Sequence, residues 1–147
     1  VRRGVSEYLR KDPFGNAPLP IGQIQAAIYN EKMSNVIIYH NPRCTKSRET
    51  LALLREHGVE PEIVEYLQTP PDEATLRTLL KKLGLAPSQL IRNKEHQKLG
   101  LPPTADEQVL IERMLTHPEI IERPIVVVGR QARLGRPPEN VLEILPG

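Results

Sequence analysis

Short apolar runs alternate along this chain with longer segments in which leucine returns at helical spacing. Val36-Ile37-Ile38-Tyr39 is apolar at every position, the pattern of a short strand covered on both faces. The segment after it, with Leu51, Leu53 and Leu54 ahead of His57-Gly58, predicts a helix over about 45–57. Ile63-Val64-Glu65-Tyr66 predicts a second strand. Leu76, Leu79, Leu80 and Leu83 then share one face of a helix over about 71–83, opened by Thr69-Pro70-Pro71-Asp72-Glu73 and ended by Gly84. A shorter helical turn is expected at 87–91. Another helix runs from about 105 to 116, with Thr104 and Glu107 spaced as a capping box and Pro118 closing it. Ile125–Val128 predicts a third strand, and Gly129-Arg130 turns it into a fourth over Gln131–Leu134. Pro137-Pro138 opens a last helix carrying Val141, Leu142 and Leu145.

Composition narrows what such a chain can be. Its 147 residues suffice for one domain with a core, and with 3% aromatic residues and no tryptophan that core is built from Leu, Ile and Val. No apolar run approaches the roughly 18 residues that would span a bilayer, so no membrane role is expected. The net charge of +2 comes from residues 1–32, which hold five Lys/Arg against three Asp/Glu, while 33–147 is neutral. A neutral body poor in aromatics lacks the footprint of a nucleic-acid binder. Residues 1–32 contain Pro13, Pro18 and Pro20, show no sustained periodicity, and lack the apolar core of a secretory signal. Met33-Ser34-Asn35 looks like a natural start. We therefore expect 1–32 to be a poorly ordered extension upstream of that start, and 33–147 to be the folded domain.

Cys44 is the only cysteine, which excludes an intramolecular disulfide and suits a reducing, cytoplasmic setting. His40, His57, His96 and His117 are too scattered for a metal set, and His40 with Cys44 is not enough for one. A lone cysteine is usually a small buried hydrophobe. This one lies between a strand and a helix, beside Arg43, Lys46 and Arg48. At a helix N-terminus, free N–H groups and the helix dipole favour the thiolate and lower a cysteine pKa from about 8.5 toward roughly 3.5–7.5. Cys44-Thr45-Lys46-Ser47 has the frame of a C-x-x-C redox motif with serine in place of the second thiol. A covalent adduct on Cys44 would need an outside thiol to resolve it.

The order β-α-β, then helices, then β-β-α implies an α/β protein with a mixed four-stranded sheet. A redox-type cysteine directly after the first strand makes this a thioredoxin-like arrangement with a helical insertion between its halves. The run Ile38 to Thr50 (Ile-Tyr-His-Asn-Pro-Arg-Cys-Thr-Lys-Ser-Arg-Glu-Thr) resembles the active-site segment of the glutaredoxin-linked arsenate reductases. Leu90-Ile91-Arg92-Asn93-Lys94, Glu122-Arg123-Pro124-Ile125-Val126-Val127 and Gly135-Arg136-Pro137-Pro138 resemble three later blocks of that family. The four occur in matching order, covering about Ser34 to Pro146. Arg43 and Thr45 stand where some members carry alanine and glycine, which brings the chain nearest the branch with arginine before the cysteine.

The resemblance implies a role for each position. Cys44 would attack arsenate and form a covalent adduct, with His40 tuning the thiolate and Ser47 completing the catalytic group. Arg92, Arg123 and Arg136 would grip the oxyanion, with Arg48 beside them. Asn41 and Pro124 would shape the site, Pro124 as a cis-proline facing the cysteine. No bound cofactor is implied: glutathione would act as co-substrate, glutaredoxin would reduce the mixed disulfide, and arsenite would leave. Independently of the family, guanidinium forks suit a tetrahedral oxyanion because they donate paired hydrogen bonds. Two other functions fit the same chain. One is a monothiol glutathione-dependent reductase of a different substrate. The other is a non-enzymatic regulator of the Spx type that binds RNA polymerase, against which Ser47 counts, because it removes the usual C-x-x-C switch.

Overall fold

The computed structural model describes residues 21–22 and 35–145. Beyond those two residues, the expected extension over 1–32 lies outside the described residues. The elements run β1 (Val36–Tyr39), α1 (Thr45–Glu56), β2 (Glu62–Val64), α2 (Glu73–Leu83), α3 (Pro87–Leu90), α4 (Asn93–Lys98), α5 (Glu107–Thr116), β3 (Ile125–Val128) and β4 (Gln131–Leu134). A 3₁₀ turn at Pro118–Ile120 precedes β3, and a 3₁₀ helix at Pro138–Ile144 follows β4.

The sheet has the order β2-β1-β3-β4. β1 pairs parallel with β2 and antiparallel with β3, and β4 closes the sheet as an antiparallel hairpin on β3. Side chains alternate across a strand, so an all-apolar strand must be covered on both faces. Val36, Ile38 and Val126 turn to one face, where Leu54 of α1, Val59 and Val141 cover them. Ile125 and Val127 turn to the other, under Leu76, Leu79 and Leu80 of α2 and Leu110, Ile111 and Met114 of α5. Gly129 makes the hairpin turn at φ 59°, a left-handed conformation that glycine adopts without a side-chain clash. The result is the expected α/β, thioredoxin-like arrangement.

Several boundaries differ from the sequence expectation. β2 ends at Val64 because the chain turns at Glu65, whose carbonyl accepts from Gln68 N at 3.0 Å and Thr69 N at 2.9 Å. Tyr66 therefore leaves the strand and buries its ring in the core. α2 starts at Glu73 because Asp72 caps it, accepting from Thr75 N at 2.8 Å. α5 is capped by Asp106, which accepts from Gln108 N and Val109 N, rather than by Thr104. A carboxylate at that position also answers the positive helix end. Thr104 instead accepts from Asp106 N at 3.0 Å. The last helix is 3₁₀ throughout, and α4 is an extra helix that leucine spacing did not signal.

The insertion α3–α4 is pinned to the segment that leads into β3. Ile91 and Ile121 form a bridge, with Arg92 N donating to Ile120 O and Glu122 N to Leu90 O, both at 2.7 Å. This contact carries Arg92 to the entrance of β3.

Candidate active site

β1 ends where the functional loop begins. His40 N donates to Val64 O at 2.8 Å, extending the β1–β2 pairing by one residue. Asn41 then folds the loop: its side-chain oxygen accepts from Arg43 N and its carbonyl from Cys44 N, both at 3.0 Å. Side-chain-to-backbone bonds of this kind are what make Asn a turn residue. Cys44 is thereby delivered to the N-cap of α1, with extended backbone, and its carbonyl accepts the first helical bond from Arg48 N.

Cys44 is only 9% exposed. Burial pushes the thiol pKa up, but the Ser47 backbone N–H and the Arg123 guanidinium, with Arg136 adding its charge, pull it below the ordinary value. Arg136 Nη2 lies 3.5 Å from Sγ. The sulfur closes no tight capping bond. Its thiolate owes its stabilisation to N–H groups and guanidinium charge around it.

Ser47 is fully buried and locks the loop. Its Oγ accepts from Asn41 N at 3.0 Å and lies 2.7 Å from His40 Nδ1. Burial lowers the His40 pKa, outweighing the pull of Glu65 and aided by Arg55 and Arg48. The lowered pKa favours a neutral imidazole, whose Nδ1 shares one hydrogen bond with the Ser47 hydroxyl. Ser47 thus ties His40 to the loop that carries Cys44.

The three arginines differ in how they are held. Arg92 pairs with Glu95 and Glu122, each at 2.9 Å. Arg136 pairs with the same Glu122 oxygen at 2.9 Å and donates from Nε to Arg123 O at 2.7 Å. Among the described residues, Arg123 forms no ion pair with a carboxylate, and its Nε is buried without a hydrogen-bond partner. The Arg123-Pro124 bond is cis, as is Arg136-Pro137. Gly135 passes so close to α1 and Pro124 that an added Cβ would collide with Thr50 Oγ1 and sit 2.7 Å from Pro124 Cγ.

The fold therefore brings Cys44, His40, Ser47, Asn41, Arg123 and Arg136 together and joins Arg92 to them through Glu122. Arg48 donates to Pro42 O at 2.9 Å and Thr45 Oγ1 at 3.3 Å. It braces the loop from outside. Glu122 and Glu95 escaped the sequence reading, although Glu95 lies one helical turn from Arg92 and Glu122 adjoins Arg123-Pro124. An open groove of about 690 Å³ flanks the loop, lined by His40, Pro42, Arg48, Leu51, Ala52 and Arg55 among others.

The chain matches the ArsC family over residues 39–144. It is 57% identical over 114 residues to the uncharacterised protein YfgD of Escherichia coli K12, an overlap of 75% of this chain and 96% of that protein. It is 44% identical over 117 residues to an arsenate reductase of Neisseria meningitidis, covering 77% of this chain and all of the relative. An arsenate reductase structure from Vibrio cholerae superimposes with a TM-score of 0.71 at 48% identity, over 77% of this chain and 98% of that one. The family match extends from the end of β1 into the final 3₁₀ helix and takes in every site residue described above. The chain belongs to the ArsC family.

Proposed function

We propose that this protein is an arsenate reductase in which the Cys44 thiolate attacks arsenic, forming a sulfur–arsenic bond as one arsenate oxygen leaves as water. The observation that carries this reading is the pairing of a pKa-lowered thiol with Arg123, a guanidinium that forms no ion pair with a carboxylate among the described residues. A thiolate approaching an anion meets Coulomb repulsion, and cations placed beforehand around the sulfur offset it. Arg136 touches the sulfur, while Glu122 holds Arg136 and Arg92 in orientation.

Reducing arsenate to arsenite takes two electrons, supplied when two thiols become one disulfide. With one cysteine in the chain, both thiols come from outside. Glutathione and glutaredoxin fill those places in this reading, the groove beside His40 offering room for the peptide thiol, and a cytoplasmic setting supplies both. The test is arsenate-dependent NADPH oxidation coupled through glutathione reductase, glutathione and glutaredoxin. Activity that disappears in Cys44→Ser is the expected result. Oxidation independent of arsenate, with glutaredoxin active, would assign the thiol to another substrate.

A further inference from the structure

Two buried side-chain atoms lack a hydrogen-bond partner among the described residues, Tyr66 Oη and Arg123 Nε. Leaving a buried hydroxyl unpaired costs about 1–3 kcal/mol, and native interiors seldom tolerate it without a reason. Phenylalanine would fill the same space without that cost. Tyr66 is 2% exposed, and its ring packs in the large core near Leu76, Leu79, Ile121 and Ile125. It follows β2 by two residues, and the His40–Val64 bond sets that end of β2 beside the start of the Cys44 loop. Arg123, Cys44 and Arg92 act on its hydroxyl through their charge, and the Asn41 side chain approaches it without closing a hydrogen bond; all four are residues of the site.

We propose that the Tyr66 hydroxyl donates a hydrogen bond to the oxyanion bound at Cys44, next to Arg123 Nε. Both unpaired groups offer a hydrogen, so the ligand that satisfies them is rich in acceptors, as a tetrahedral oxyanion is. Burial, outweighing the opposing pull of Arg123, pushes the phenol pKa up to about 12, so it stays protonated and able to donate. The sulfur is not its acceptor: the Arg136 and Arg123 guanidinium groups are the side-chain donors there, and Tyr66 is not among the groups that shift the thiol. The apolar packing holds the ring in place. This assignment rests on the oxyanion reading of the site and adds a neutral donor to it.

The test is protection of Cys44 from iodoacetamide, a neutral alkylating agent, by arsenate and by sulfate as an unreactive tetrahedral oxyanion. In Tyr66→Phe, unprotected alkylation is expected to keep its rate and pH midpoint, and protection to weaken about ten- to hundredfold. Urea unfolding is expected to show the variant at least as stable as the wild type, since an unpaired hydroxyl has been removed. Unchanged protection, with or without a loss of stability, would overturn the inference. A shifted pH midpoint would do the same by assigning the hydroxyl to the sulfur. If sulfate protects the wild-type protein and arsenate does not, weaker sulfate protection in Tyr66→Phe still supports the donor while the arsenate reading fails. Protection by neither oxyanion overturns both.

Discussion

Replacing Ser47 with alanine separates local propensity from tertiary structure, because the two demand opposite signs. At an exposed helical position, Ser→Ala stabilises by a few tenths of a kcal/mol through helix propensity alone. Here the Ser47 Oγ is fully buried between Asn41 N at 3.0 Å and His40 Nδ1 at 2.7 Å. Removing it leaves a backbone donor and a ring nitrogen buried without partners, each costing about 1–3 kcal/mol. We expect Ser47→Ala to lose about 2–5 kcal/mol, a large share of the roughly 5–15 kcal/mol available to a domain. Urea denaturation should show a lower midpoint at an unchanged slope, the signature of altered stability rather than an altered denatured state. The thiol should keep its low pKa in the folded variant, because the Ser47 N–H that stabilises it belongs to the backbone. A loss below about 1 kcal/mol, within the range of ordinary surface changes, would refute the claim that this network holds the loop.

Three further outcomes follow from the same geometry. Iodoacetamide should reach half-maximal rate on Cys44 at lower pH in the folded protein than in the urea-unfolded chain, and Arg136→Gln should move the folded midpoint upward by removing a guanidinium from the sulfur; an unmoved midpoint would exclude Arg136 as a contributor. Gly135→Ala forces a methyl against Thr50 and Pro124, and overpacking of this kind costs about 1–3 kcal/mol, measurable as a fall in thermal midpoint. Because burial lowers the folded-state pKa of His40, the unfolded chain binds more protons once pH drops below its ordinary value. The contribution of His40 is therefore complete above that value, near pH 6.5, and is lost as pH falls through the folded pKa. A urea series from pH 7.5 to 5 should show a shallower decline in His40→Gln than in the wild type, and parallel declines would contradict the assignment.

Much of the architecture was legible because it depends on neighbours in the chain. Apolar strands flanked by turn residues identify themselves, and so does a helix with Leu76, Leu79, Leu80 and Leu83 on one face. Cys44 could be placed at the start of a helix for the same reason. Where two local signals competed, the sequence reading slipped. Thr104 and Asp106 both offer a cap to α5, and only the folded geometry selects the carboxylate. Tyr66 continues an apolar run, yet the turn at Glu65 takes it out of the strand.

By itself, then, the amino-acid sequence determined the order of elements, the all-apolar strands that require helices on both faces, and a lone thiol at a helix start. Each of these follows from the spacing of residues within a few turns of chain. Tertiary structure decided the charge state and partners of the site. Whether Arg92, Arg123 and Arg136 are three free cations or an ion-pair network depends on Glu122, which meets Arg92 across 30 residues and Arg136 across the β3–β4 hairpin. That meeting rests on the Ile91–Ile121 bridge and on the chain's return to Cys44 after β4. No periodicity encodes such contacts, because Coulomb energy and desolvation depend on distance and burial in space rather than on separation along the chain.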